Sequence, residues 1–169
     1  MAFGTTAAGT ITKEQTLHSI RRLPIAASTT ITKGEVCEIN VNGWLITSPT
    51  TQTDNVQHFV ALETVDNSSG SNGDLHAPVA VRGHFVTVTA DGAINAGDQV
   101  KVSGSTAGQV VKATHGTDDK NLIVGVYWGK EGGTVAKGGT TPFLESLTDT
   151  ADFSPADAAD GDVIEIELI

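Results

Sequence analysis

The segment Thr32-Lys-Gly-Glu-Val-Cys-Glu-Ile-Asn40 recurs in this chain as Asn95-Ala-Gly-Asp-Gln-Val-Lys-Val-Ser103. Gly34 aligns with Gly97, and an acidic residue follows each glycine. Both copies alternate small or branched apolar residues with polar ones, a pattern that is typical of a β-strand with one buried face. The duplicated segment therefore predicts the same turn and strand at two places in the fold.

Both copies continue in the same way beyond this segment. Gly43-Trp-Leu-Ile-Thr47 corresponds to Gly108-Gln-Val-Val-Lys112, and Phe59-Val-Ala-Leu62 corresponds to Ile123-Val-Gly-Val126, at an offset of 63 to 65 residues. More loosely, the stretch from Gly73 to Val81 resembles the end of the chain. Two copies are too few for a solenoid, which needs at least about three repeats. We therefore expect two similar halves of one β-domain, about 31–90 and 94–169.

Composition supports an all-β fold. Of the 169 residues, 51 are Thr, Val or Ile, whereas only nine are Leu. Branched side chains lose rotamer freedom in a helix and pack well on a strand. A chain of this length is typical of one domain. The expected fold is a compact β-sandwich or small β-barrel, with a single β-domain over 24–169.

Several strands are predicted from local pattern. Asn42-Gly43 separates two apolar runs and favours a two-residue hairpin turn, because both positions of that turn require a positive φ. The other predicted strands are Gln57–Thr64, Ala77–Ala90, Gln99–Ser103, Gln109–Ala113, Leu122–Gly129 and Asp162–Leu168.

Two stretches depart from the β pattern. Residues 1–23 are polar and small with few large apolar side chains, and we interpret them as an extended N-terminal arm in which Leu17, Ile20 and Leu23 would suit one short helical turn. Residues 131–160 form an insertion in the second half. A loop longer than about 12–15 residues is usually functional or disordered.

The net charge of −10 argues against a nucleic-acid partner, because seven Lys and three Arg do not form the basic groove that phosphate binding needs. No apolar run approaches the length of a membrane span, about 18 residues. No secretory signal is recognisable at the N-terminus. The sequence therefore predicts no nucleic-acid or membrane partner.

No residue pattern indicates catalysis. The five His residues are scattered without a zinc-ligand spacing, and neither a nucleophile elbow nor a phosphate-binding Gly-rich loop is present. Cys37 is the only cysteine, and we interpret it as a small buried apolar residue. The polar stretch Asp66–Asp74 is only a weak match to a calcium loop. We expect no enzyme activity, cofactor or metal.

A resemblance to a known family appears in the run from Pro78 to Ser103, followed by Gly108-Gln-Val-Val-Lys-Ala113 and Leu122-Ile-Val-Gly-Val126. These turn-and-strand patterns resemble the capsid cement, or head decoration, proteins of tailed bacteriophages and related viruses. The resemblance covers about two-thirds of the chain and includes no catalytic signature. The arm and the insertion depart from the family's short pattern.

The resemblance implies a virion structural protein, made in the host cytoplasm and placed on the outer surface of an icosahedral capsid. It further implies binding to the major capsid protein as a homotrimer at three-fold and quasi-three-fold sites, which stabilises the shell. We expect the net positive arm to reach across an acidic capsid exterior. The candidate capsid-binding residues are Phe3, Ile11, Lys13, Leu17, Arg21 and Arg22.

A second function class is a carbohydrate- or receptor-binding β-module. Trp44 or Trp128 on an exposed face would then stack against sugar rings, although core or interface packing is the commoner fate of large aromatic residues.

Overall fold

The computed structural model describes residues 11–14, 20–50, 57–118, 122–129 and 157–169. All secondary-structure elements within these ranges are β-strands. The strands are β1 (Ile11–Glu14), β2 (Arg21–Pro24), β3 (Thr29–Ile31), β4 (Val36–Ile39), β5 (Leu45–Thr47), β6 (His58–Ala61), β7 (Val65–Asn67), β8 (His76–Ala80), β9 (His84–Thr89), β10 (Gln99–Val102), β11 (Val110–Lys112), β12 (Ile123–Tyr127) and β13 (Val163–Leu168). Within the same ranges, no helix is long and apolar enough to cross a membrane.

The strands form three antiparallel sheets that do not close into a barrel. A five-stranded sheet has the order β2-β8-β6-β4-β5, and a six-stranded sheet has the order β1-β9-β13-β12-β10-β11. Strands β3 and β7 form a separate pair. The all-β prediction is confirmed, and the barrel alternative is wrong because both large sheets end in open edge strands.

The two large sheets repeat one topology. If β1 is set aside, β9-β13-β12-β10-β11 has the same order as β2-β8-β6-β4-β5, so each sheet corresponds to one copy of the sequence repeat. We call the five-stranded sheet with its turns the first half, and the six-stranded sheet with its turns the second half. The structure also adds a strand pair to the repeat, because β2 and β9 occupy equivalent places.

Backbone hydrogen bonds are repeated as well. Gly34 N–H donates to the Ala61 carbonyl at 2.8 Å, and Gly97 N–H donates to the Tyr127 carbonyl at 2.7 Å. The acid after each glycine caps its turn: the Glu35 carboxylate accepts from Thr32 N–H, as the Asp98 carboxylate does from Asn95 N–H. These shared bonds explain why Gly-acid recurs in the sequence.

The sequence offset needs one correction. Ala61 corresponds to Tyr127, an offset of 66 residues, which exceeds the predicted 63 to 65. The register of β10 against β12 shifts between Val100 and Lys101, which skips Val124 of the opposite strand. One extra residue at a β-bulge therefore accounts for the difference.

A second correction concerns the predicted strand Ala77–Ala90. It is two strands, β8 and β9, that belong to different sheets. The chain turns at Arg82 and Gly83, where Gly83 has a φ of +89°. That backbone conformation suits glycine and interrupts a run that is apolar on both sides.

Each half has its own apolar core. The first-half cluster includes Ile25, Ile31, Leu45 and Phe59. The larger cluster consists mainly of second-half residues such as Tyr127, and it also contains Val36, Val60 and Ala80 from the first sheet. The first sheet is therefore buried on both faces, and the two halves share one of the two clusters.

The segment before Leu23 contributes two described strands. β1 pairs with β9 at one edge of the six-stranded sheet, and β2 pairs with β8 at one edge of the five-stranded sheet. The predicted helical turn at Leu17 falls on 15–19, and most of the predicted insertion falls on 130–156; both lie outside the described residues.

Candidate partner-binding surface

The open edge of the first sheet carries two exposed arginines. β2 pairs only with β8, so its other side is a free strand edge. Arg21 and Arg22 are both exposed. Ile20 precedes them with 52% of its surface exposed, and Leu75, whose carbonyl accepts from Ile25 N–H, is 41% exposed. We call this basic and apolar strip the β2 edge.

The structure separates the predicted capsid-binding residues into two groups. Arg21 and Arg22 lie on β2 of the first sheet, whereas Ile11 and Lys13 lie on β1 of the second sheet. Two further candidates, Phe3 and Leu17, lie outside the described residues.

A second exposed surface lies on the six-stranded sheet, on the face opposite its core. Trp128 follows β12 there with 59% of its surface exposed, and its indole N–H donates to the Glu167 carboxylate at 3.1 Å. Val126 pairs with Glu167, which pairs in turn with Phe85. All three are half-buried. We call this mixed apolar and acidic surface the outer face of the second half.

The outer face was missed at the level of sequence, although the repeat contained a signal for it. Trp128 follows Tyr127 as Leu62 follows Ala61, so the two residues are equivalent. Leu62 packs against the larger core cluster, whereas Trp128 is exposed. An aromatic residue at the uncovered copy of a covered position marks a binding surface.

Trp44 has a different environment. It is half-buried, and a Cβ placed on Gly73 would lie 3.0 Å from its Cζ3 atom. Gly73 therefore lets the indole pack closely on the first half. Of the two candidate stacking residues, Trp128 has the more accessible ring.

The described titratable groups serve the fold. Burial and the neighbouring Glu35 raise the pKa of the Cys37 thiol, which keeps it protonated. The Asp66 carboxylate accepts from Ser68 N–H and from Thr30 Oγ1, and these bonds lower its pKa. Asp74 accepts from Ser71 N–H. The acids of the weak calcium-loop match therefore stabilise turns.

Metal binding was also considered from the side-chain positions. Among the residues that the structure describes, no group of three or more His, Cys, Asp or Glu side chains could hold an ion. The exposed features available for binding are thus the β2 edge and the outer face.

Comparisons with known proteins give a limited result. No protein-family model matches this sequence, and no curated protein matches it. Among solved structures, the chain resembles the N base of the head fiber gp8.5 of bacteriophage phi29, with a TM-score of 0.48 and 15% sequence identity. The similarity covers 88% of this chain and 93% of that chain.

Proposed function

We propose that this protein is a virion structural protein that decorates the outer surface of an icosahedral capsid. It binds the major capsid protein, as a homotrimer at three-fold and quasi-three-fold sites, and stabilises the shell. The observation that carries this proposal is the resemblance of Pro78–Ser103 and the two following strands to head decoration proteins. The duplicated β-domain with two exposed binding surfaces is compatible with that role.

The β2 edge is the proposed capsid contact. Its Arg22 is exposed on a strand whose outer side is open, next to the apolar Ile20. A positive strip of this kind favours encounter with an acidic capsid exterior, and the apolar side chain adds buried area once docked. Lys13 on β1 would extend the contact to the second sheet.

The proposal assigns no chemistry to the protein. Decoration needs no catalytic group or cofactor, and it needs neither nucleic acid nor a membrane as partner. The acidic balance of the chain, −10 overall, supports a protein partner over a polyanion.

Binding to capsids assembled without this protein tests the proposal. Purified protein should co-sediment with such shells and saturate at a stoichiometry that matches their three-fold positions. Arg22→Glu should weaken binding, and this loss should shrink as salt is raised, because salt screens an exposed charge. An exposed acid elsewhere, Asp160→Arg, is the matched charge-change control. Absence of binding by the wild type would overturn the proposal.

One observation favours a second candidate function, a carbohydrate- or receptor-binding module. Trp128 presents an accessible indole whose N–H is fixed by Glu167, and a carboxylate beside an aromatic ring suits the hydroxyl groups and apolar face of a sugar. Glycan-array binding that is lost in Trp128→Ala and retained in Trp44→Ala would support this candidate.

A further inference from the structure

The internal repeat shows what covers the outer face in one of its two copies. The first sheet has an equivalent face, and the second half buries it: Val36, Val60 and Ala80 belong to the larger core cluster, and Leu62 packs against that cluster. Strand pairing gives the equivalent residues of the second sheet as Gln99, Val126, Glu167 and Trp128, in place of Val36, Val60, Ala80 and Leu62. The same face is thus covered in the first half and uncovered in the second.

The hairpin turns show the same contrast. Gly108, at the β10–β11 turn, docks on the first half: its carbonyl accepts from Val36 N–H at 2.8 Å, and its N–H donates to the Ser48 carbonyl at 3.1 Å. A Cβ at Gly108 would lie 2.9 Å from Thr47 Cγ2. The equivalent Gly43, at the β4–β5 turn, has nothing within 4 Å of such a Cβ. One turn is docked and its equivalent is free.

Val41 adds to this contrast. It lies beside Gly43 at the tip of the β4–β5 hairpin and is 88% exposed. An apolar side chain exposed to that extent at a protruding tip is typical of a contact residue. The first half therefore carries an unused tip, and the second half carries an unused face of the kind that such a tip contacts.

We infer that a second copy of this chain covers the outer face, with its first half placed as the second half is placed on the first within one chain. The β4–β5 tip of one copy would then dock beside Asp98 and Lys112 of the next. These two residues form an ion pair at 2.8 Å, equivalent to the Thr47–Glu35 hydrogen bond beneath Gly108. The inference rests on the proposed trimer and specifies its contact.

Charge complementarity supports a second copy as the occupant. Within the chain, the larger cluster contains Ala80 from the covered face and Val86 from the second half. The positions equivalent to Ala80 and Val86 in the contact between copies are Glu167 and Arg21. An apolar pair inside the chain is thus matched by an acid and a base between chains, as expected for a contact whose surfaces are exposed before assembly.

The apolar residues around the β2 edge complete the matching surface. Leu23, Ile39, Val65 and Val81 are part-buried residues packed against the first-half cluster. They are the first-half surface on which the outer face of the neighbouring copy would rest. Because tip and face are different surfaces, the contact is heterologous, and copies add head to tail until the rotation closes a ring.

A charge-reversal cycle at Arg21 and Glu167 tests the inference. The mass of the free protein is measured by sedimentation velocity over a concentration series. The wild type should associate, and Arg21→Glu or Glu167→Arg alone should weaken association by more than about tenfold. The double variant Arg21→Glu/Glu167→Arg should restore it, as should mixing the two single variants. Asp160→Arg, an exposed acid away from both surfaces, should associate like the wild type.

The outcomes separate this inference from the proposed function. A wild type that stays monomeric at every concentration overturns the inference, as does a double variant no better than the single variants. Capsid binding by such a monomer would leave decoration standing. Association that follows the predicted cycle in a protein that binds no capsid would instead support the contact and contradict the function. Folding of each variant is checked by near-UV circular dichroism.

Discussion

Gly108 shows at the scale of one residue how the two halves are joined. Its φ of +75° is in the left-handed region, and a side chain there would meet Thr47 and Glu35 of the other half. Left-handed backbone costs a residue other than glycine about 1–2 kcal/mol, and the steric contact adds to that cost. The junction therefore needs a glycine for two separate reasons.

We predict that Gly108→Ala lowers the free energy of unfolding by more than Gly83→Ala. Gly83 has a similar φ of +89° but has nothing within 4 Å of an added Cβ, so it reports the backbone strain alone. Urea unfolding of dilute protein measures both variants. Equal losses would show that Gly108 is not closely packed.

Cys37 provides a second residue-scale prediction. Its side chain is buried on β4, and burial raises the pKa of the thiol, so little thiolate forms near neutral pH. The native protein should react with a thiol reagent only as fast as it unfolds, whereas protein in urea should react at once. Rapid reaction of the native protein would contradict the buried position of β4.

Asp118 provides a pH dependence. The Lys101 ammonium, 2.5 Å away, and the Thr114 N–H lower the pKa of this carboxyl. Because the folded pKa is below the unfolded one, its stabilising contribution is present above the ordinary Asp range and is lost as pH falls through the lowered pKa. An NMR titration should show a low pKa for Asp118 that rises in Lys101→Met. An unchanged pKa would contradict the ion pair.

At the scale of elements, Asn67 ties the β7 turn to the start of the first half. Its buried amide donates to the Ala26 carbonyl at 2.9 Å and to the Ser71 carbonyl at 2.9 Å. Removing the amide leaves both acceptors without this partner, which typically costs about 1–3 kcal/mol.

Asn67→Ala should therefore destabilise the protein by about that amount. The control is Asn72→Ala, which removes one exposed hydrogen bond, from Ala27 N–H, in the same loop. Thermal unfolding compares the two. A loss in Asn67→Ala no larger than in the control would contradict the anchoring role.

The same scale shows what the sequence predicts and what it misses. Asn42-Gly43 predicted the β4–β5 hairpin correctly, because the turn is determined by two adjacent residues. The division of Ala77–Ala90 between two sheets was missed, since a buried strand is apolar on both faces and its neighbour in space is not encoded locally. β2 was read as part of an arm for the related reason that Arg21-Arg22 has no apolar alternation.

At the scale of the whole molecule, the two halves share a topology and differ in what covers them. The sequence repeat indicates the shared topology, but it gives no packing order between the halves. Only the structure shows that Val60 is covered while the equivalent Val126 is not. For this reason the β2 edge was partly predicted, through Arg21 and Arg22, whereas the outer face was not.

These two valines give a matched prediction. Val60→Asp places an unpaired charge in the core and should prevent stable folding, because such burial typically costs several kcal/mol. Val126→Asp should leave the fold of the monomer intact and abolish association between copies. Unfolding curves and sedimentation together measure both. Similar loss of stability in the two variants would contradict the uncovered position of the second face.

The proposed function is tested most directly by electron cryomicroscopy of capsids assembled without this protein and then incubated with it. The account predicts added density at the three-fold and quasi-three-fold positions, with one trimer at each, β2 edges toward the major capsid protein and outer faces covered by neighbouring copies. Bare shells after incubation with folded protein, or density at these sites from isolated monomers with Trp128 exposed, would contradict it.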